Sequence, residues 1–119
     1  MEFVLDDKTL TQLQHAQIDL TVKVKAHVNV TPFTARQKVN GLLLDKAGTG
    51  LMGGTPALVV AGGRLLWRIP VILALPERPH LGEVGTIDVD VQTAEVLLDP
   101  VQLEQLKDRA DALATRTSH

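Results

Sequence analysis

The sequence predicts an α+β domain in which an antiparallel sheet of four or five strands wraps one helix and a second helix ends the chain. Three observations predict it. Two segments carry capped helical patterns, several runs alternate apolar and polar residues, and a Gly-Gly pair separates two of those runs. With 119 residues, 45% of them apolar, the chain suffices for one domain with a core and is too short for two.

The first helix is predicted over 32–47. Thr31 suits the N-cap, Pro32 the first helical position, and Gly48 the left-handed position after the last turn. An apolar stripe at helical spacing indicates that one side lies on a sheet, and it consists of Ala35, Val39, Leu42 and Leu43. We interpret Gly41, inside this helix, as a place where a strand backbone passes close.

The second helix is predicted from Asp99, which suits an N-cap, with Pro100 next and Gln102 completing a capping box. Its apolar stripe is Val101, Leu103, Leu106, Ala110 and Leu113. Residues 1–17 are expected to form a short helical segment, and 115–119 a frayed tail.

The longest alternating run is 18–30, about twice the usual strand length of roughly five or six residues. Such a strand either bends at a bulge or continues past its own sheet to pair with another chain. The glycine-rich stretch 48–56 is predicted to be a loop, and Gly62-Gly63 a tight hairpin turn.

The strand that follows this turn, 65–75, is apolar on both faces, so a covering element is expected on each. The C-terminal helix is predicted to cover the second face, or that of a partner. Pro70 has no N–H to donate to a neighbouring strand. This strand is therefore expected to lie at the edge of the sheet, to carry a bulge, or to have no partner strand on the side to which the Pro70 nitrogen points. A strand through Ile87 and Val89 and a short strand at 95–98 complete the sheet.

Composition and motifs argue against several functional classes. Twelve basic and 14 acidic residues, a net charge of -2, disfavour a nucleic-acid partner. The absence of cysteine removes disulfides and thiolate metal sites, and the four histidines lack ligand spacing, so we expect no metal and no cofactor.

No signal-peptide pattern or membrane-spanning run is visible, which predicts a cytoplasmic protein with no membrane partner. No catalytic triad or nucleophile elbow is recognisable, so no enzyme is expected.

Asp88 and Asp90 point to one side of a strand, roughly 7 Å apart, which would suit a divalent cation. Simple polar alternation on a half-exposed strand predicts the same two residues, and we favour that interpretation.

The run "LWRIPVIL" is followed, after a loop, by "GTIDVDVQTAEVL". This order resembles the PepSY-like and cystatin-like group over roughly residues 30–98. The pattern is a strand led by an aromatic residue, then one that ends in a turn in which Ala94 replaces the usual glycine. The resemblance implies an antiparallel sheet wrapped on one helix, and binding of proteins or small ligands through a sheet face or edge.

The leading functional hypothesis is a non-enzymatic protein-binding or regulatory module, acting through sheet and C-terminal helix surfaces as a homodimer. The residues expected at the interface are Trp67, Arg68, Ile72, Leu103, Leu106 and Leu113. The alternative is a small-molecule carrier or sensor with an apolar pocket between helix 32–47 and the sheet. Leu43, Leu51 and Met52 would line that pocket.

Overall fold

The computed structural model describes residues 2–4, 25–48 and 50–117, and it confirms the α+β class with an antiparallel sheet and a C-terminal helix. The elements in chain order are β1 (Glu2–Val4), α1 (Pro32–Ala47), β2 (Leu51–Gly53), β3 (Ala57–Ala61), β4 (Arg64–Leu75), β5 (Arg78–Asp90), β6 (Val96–Leu97) and α2 (Pro100–Thr117).

The described strands form one sheet in the order β1-β3-β4-β5-β6, with β2 also paired to β4. Gly53 of β2 lies opposite Val71, and Ala57 of β3 lies opposite Arg68, so β2 and β3 occupy successive parts of the same side of β4. The described sheet is therefore five strands wide at most, within the range that the sequence predicts.

Pro70 lies in the central strand, at the point where the opposite side changes from β2 to β3. Its carbonyl accepts a hydrogen bond from the Gly54 N–H at 2.7 Å. Since N and O of one strand residue point to the same side, the nitrogen without a hydrogen faces the break between β2 and β3, where no ladder bond is lost. Of the three explanations that the sequence leaves open, the unpaired side at this residue is the one observed, with a register shift directly after it, between Val71 and Ile72.

Both helices pack on the same face of the sheet. Leu43 of α1 and Leu106 of α2 belong to one buried cluster with Ile69, Val71 and Val89 of the sheet. The prediction that the C-terminal helix covers the second face of β4 is therefore wrong. That second face carries Leu66 and Ile72, which are 4% and 9% exposed.

Two glycines of β5 let α2 approach the sheet closely. A Cβ atom on Gly85 would overlap the Leu106 side chain, and one on Gly82 would lie 2.9 Å from Leu113 Cδ2. The helix therefore lies directly above β5, with bulky side chains of α2 filling the space over two positions that lack one.

The helix boundaries follow the predicted caps. Thr31 Oγ1 accepts the Thr34 N–H at 3.1 Å, and α1 ends at Ala47, followed by Gly48 as the C-cap with a φ of 77°. At α2, Asp99 Oδ1 accepts the Gln102 N–H at 2.8 Å while Gln102 Oε1 accepts the Asp99 N–H at 3.1 Å, which completes the capping box. The hairpin turn at Gly62-Gly63 is also confirmed, with φ values of 58° and 73°.

Several predictions about the other segments need correction. Residues 25–30, the described end of the predicted strand 18–30, form no strand, and Val28, one of the apolar residues of the alternating pattern, is 60% exposed. The predicted loop 48–56 contains β2. Gly41 is exposed, and a Cβ atom added to it would have no neighbour within 4 Å, so none of the described strands passes it. The helix expected within 1–17 lies outside the described residues, apart from Glu2–Val4, which pair with β3.

We predict that Gly85→Ala destabilises the domain by about 1–3 kcal/mol, because the added methyl group overlaps Leu106 and forces α2 away from β5. Urea unfolding followed by circular dichroism measures the change in the free energy of unfolding.

The matched control is Gly41→Ala, the same substitution at an open helical position, which should stabilise the domain by about 0.5–1 kcal/mol. Equal effects of the two substitutions would contradict the assigned contact between α2 and β5.

Candidate functional site

The predicted interface residues of β4 do not share a surface. Trp67 lies on the helix side of the sheet, where it packs against the core and its Nε1 donates to the Val30 carbonyl at 2.8 Å. Arg68 and Ile72 have the opposite orientation in the strand, and Ile72 is 9% exposed. The structure therefore places the aromatic residue and its arginine neighbour on different faces.

The predicted interface residues of α2 point mainly inward. Leu106 is 3% exposed and stands over Gly85, and Leu113 is half-buried over Gly82. Leu103 is half-buried and lines a groove of about 350 Å³ where α1, β6 and the start of α2 meet. Val101, the first member of the predicted stripe, is 67% exposed. The apolar stripe of α2 is thus mostly part of the chain's own core.

The three residues of the alternative pocket are separated. Leu43 is fully buried in the core, and Leu51 packs against that core from β2. Met52 is 40% exposed, points to the other side of the sheet, and lines a groove of about 490 Å³ with Pro70 and Ile72.

The two aspartates that alternate along β5 are each held by an arginine of β4. Arg68 Nε donates to Asp88 Oδ1 at 2.8 Å, and its Nη2 donates to Oδ2 at 2.9 Å. This two-point pairing spans neighbouring strands, because Arg68 and Asp88 are register partners. The Asp88 carboxylate is therefore engaged by a guanidinium.

Asp90 organises the turn that follows β5. Its Oδ2 accepts from Arg64 Nη2 at 2.7 Å, while Oδ1 accepts from the N–H groups of Gln92 and Thr93 at 2.8 Å each. The Thr93 N–H is the main reason that the pKa of Asp90 lies below its ordinary value; burial opposes the shift, and Arg64 supports it. Ala94 completes the turn with a φ of 68°, the left-handed conformation that glycine would adopt with less strain.

In the part of the chain that the structure describes, the outer edge of β5 has main-chain groups that point away from β4. Thr86 is opposite Pro70, whose carbonyl points toward Gly54, so the N–H and C=O of Thr86 point away from β4. Glu83 is opposite Ile72, which has the same orientation as Pro70, so its main-chain groups also point outward. Among the described strands only β6 pairs on this side, at Asp88 and Val89.

A groove of about 280 Å³ runs along this edge between β5 and α2. Gly82, Glu83 and Val84 form its strand wall, and Arg109, Ala112 and Arg116 are on its helix wall. Val84 is the extra residue of a bulge, because Gly85 pairs with Val71 and Glu83 with Ile72. Arg109 Nη1 donates to the Val84 carbonyl at 3.3 Å, which fixes this arginine above the edge.

The outer edge of β2 has its own cover. Asn40 Oδ1 accepts the Gly53 N–H at 2.7 Å, and Arg36 Nε donates to the Gly53 carbonyl at 2.9 Å. Both side chains come from α1, so the helix occupies the main-chain groups that a further strand would use at this residue. Among the described residues the two edges therefore differ: side chains of α1 engage both main-chain groups of Gly53, whereas α2 engages one carbonyl of β5, that of Val84.

The β5 edge was not predicted from the sequence. Two signals were available: glycines at 82 and 85 within a strand pattern, which mark a close approach of another element, and arginines at 109 and 116. These arginines are seven positions apart, about two helical turns, which places them on one flank of a helix.

No family model, curated protein or solved structure matches this chain. Within residues 2–4, 25–48 and 50–117, no group of three or more histidine, aspartate or glutamate side chains is placed to hold a metal ion. The helices α1 and α2 are both too short or too polar to cross a membrane.

We predict that Asp90→Asn lowers the free energy of unfolding by about 1–3 kcal/mol at neutral pH, because it weakens the bond to Arg64 and the turn. Since folding lowers the pKa of Asp90, its stabilising contribution is present above the unfolded value of 3.8 and is lost as the pH falls through the folded value. The difference between the two proteins in urea unfolding should therefore shrink below about pH 4.

Glu95→Gln is the control, because Glu95 lies 3.7 Å from the same arginine and its side chain is 64% exposed. It should change stability by less than about 1 kcal/mol. A difference between wild type and Asp90→Asn that stays constant from pH 7 to pH 3 would contradict the assigned role.

Proposed function

We propose that this chain is a non-enzymatic protein-binding module that takes an extended segment of a partner along the outer edge of β5, beside α2. The observation that carries the proposal is the outward direction of the main-chain groups of Glu83 and Thr86, next to a groove. A segment that adds to such an edge gains main-chain hydrogen bonds, and a groove beside the edge selects its side chains.

The surroundings of the edge support this function. The strand is anchored on its other side by β4 and from above by Leu106 and Leu113, so the edge is a rigid template. Arg68 and Asp88 satisfy one another on the face below. A rigid edge loses little conformational entropy when a partner strand is added, which favours affinity.

We further propose that the chain forms a homodimer, as expected from the sequence. Phe33 and Leu44 are 67% and 63% exposed and lie three helical turns apart, so they share one flank of α1. Two large apolar side chains on one exposed flank favour contact with a second copy.

Selection from a library of displayed random peptides tests the binding edge. We expect enriched peptides to bind the wild type and not Thr86→Pro, because proline removes the outward N–H and leaves the bonds to β4 intact. Thr86→Val is the matched control, since it keeps the N–H, and it should bind as the wild type does. Equal binding to Thr86→Pro, or the absence of any enriched peptide, would contradict the proposal.

Light scattering during size exclusion, over a range of concentrations, tests the homodimer. We expect the mass of a dimer for the wild type and a shift toward the 12.9 kDa monomer for Phe33→Ser. Val101→Ser removes an equally exposed apolar side chain from α2 and should leave the mass unchanged. A wild-type monomer at every concentration would contradict self-association and would leave the β5 edge to a different chain.

A further inference from the structure

The flank of α2 above the β5 edge carries positive charge and no acidic residue. Five residues lie on this flank at helical spacing: Gln102, Gln105, Arg109, Ala112 and Arg116. The acidic residues of the helix, Glu104, Asp108 and Asp111, lie outside it. A segment that enters the groove therefore meets two guanidinium groups on its helix side.

The helix and the strand run in opposite directions along the groove. Leu106 stands over Gly85 and Leu113 over Gly82, so residue numbers increase along α2 in the direction in which they decrease along β5. Arg109 therefore lies near the bulge at Val84, as its hydrogen bond shows, and Arg116 lies one heptad farther, about 10 Å along the helix. In an extended chain, side chains on one face are about 7 Å apart at alternate residues and about 13 Å apart at every fourth. The separation of about 10 Å lies between these two spacings, and the exposed Arg116 side chain can adjust to either.

We infer that the groove between β5 and α2 binds an extended peptide segment with carboxylate side chains at alternate positions, through the β5 main chain and through Arg109 and Arg116. This inference rests on the proposed function and adds the chemistry of the partner. Carboxylates suit these positions because a guanidinium binds them through two parallel hydrogen bonds.

A second copy of this chain does not fit the same edge through its own β5. Neighbouring strands lie about 4.8 Å apart, whereas packed helices need about 8–10 Å between their axes. Because α2 lies directly above β5, a paired copy would bring its own α2 to about 5 Å from the first. It would also bring two further arginines against Arg109 and Arg116. An isolated extended segment carries no helix and meets neither obstacle.

The test is a titration, followed by amide NMR, with a blocked hexapeptide that has glutamate at alternate positions and threonine or valine between them. A second peptide has glutamine in place of each glutamate. With the wild type, we expect shifts concentrated at the amides of Glu83 and Thr86, and binding of the glutamate peptide about 3- to 10-fold tighter than that of the glutamine peptide. The difference should decrease as salt is added.

Arg116→Gln should remove much of the preference for glutamate without changing the fold, because Arg116 is exposed. Lys107→Gln is the matched control: it removes the same charge from the opposite flank of α2, where Lys107 is paired with Glu104, and should keep the preference. Equal losses for the two variants would overturn the inference, because they would show an effect of net charge alone.

Two further outcomes separate this inference from the proposed function. If both peptides bind equally and Thr86→Pro abolishes binding, the edge is a binding site without selection for acidic residues, and only the inference fails. If neither peptide shifts the amides of β5, or both bind Thr86→Pro as well as the wild type, the binding edge and the inference fail together.

Discussion

The close packing of α2 on β5 depends on the absence of side chains at Gly82 and Gly85. With these two positions empty, Leu106 and Leu113 reach the sheet, and the helix lies directly above the outermost long strand. This placement has two effects. It joins α2 to the core that α1 and β4 share, and it puts the arginine flank of the helix beside the outer edge of β5.

Arginine and carboxylate pairs play a different role on the remaining surface. Arg68 with Asp88, and Arg64 with Asp90, each link β4 to β5 or to the turn after it. Both pairs are partly shielded from water, which strengthens their hydrogen bonds. They therefore help to fix the register between β4 and β5, at the first residue of β4 and at Arg68. Arg109 differs, since its described partner is a main-chain carbonyl and not an acid.

The sequence predicted those parts of the fold that depend on local signals. Thr31 and Asp99 start helices because their side chains accept nearby N–H groups, and Gly62-Gly63 turns because both residues adopt positive φ angles. The face to which α2 docks could not be read in this way, because β4 is apolar on both faces and alternation alone does not distinguish them. Gly41 was misinterpreted for a related reason: a glycine in a helix is compatible with close packing and does not require it.

The candidate site was less accessible to sequence reasoning. Trp67 and Arg68 are adjacent in the chain and therefore point to opposite faces of a strand, which separates an expected pair. Which main-chain groups of β5 point outward depends on which residues of β4 point their own groups toward β5. That alternation can be assigned from Pro70, whose main-chain groups point toward β2 and β3. Such a relation joins three distant segments, so no short motif contains it.

The order of the central strands has a consequence for how the chain folds. A two-residue turn joins β3 to β4, and another joins β4 to β5, so this meander consists of contacts between neighbours in sequence. Local contacts of this kind form quickly, because little loop entropy is lost before they are made. The C-terminal helix can dock only onto a β5 that is already aligned, since its leucines need the two glycines at the correct spacing. The meander is therefore expected to form early and the docking of α2 late, so the last step of folding also completes the wall of the groove.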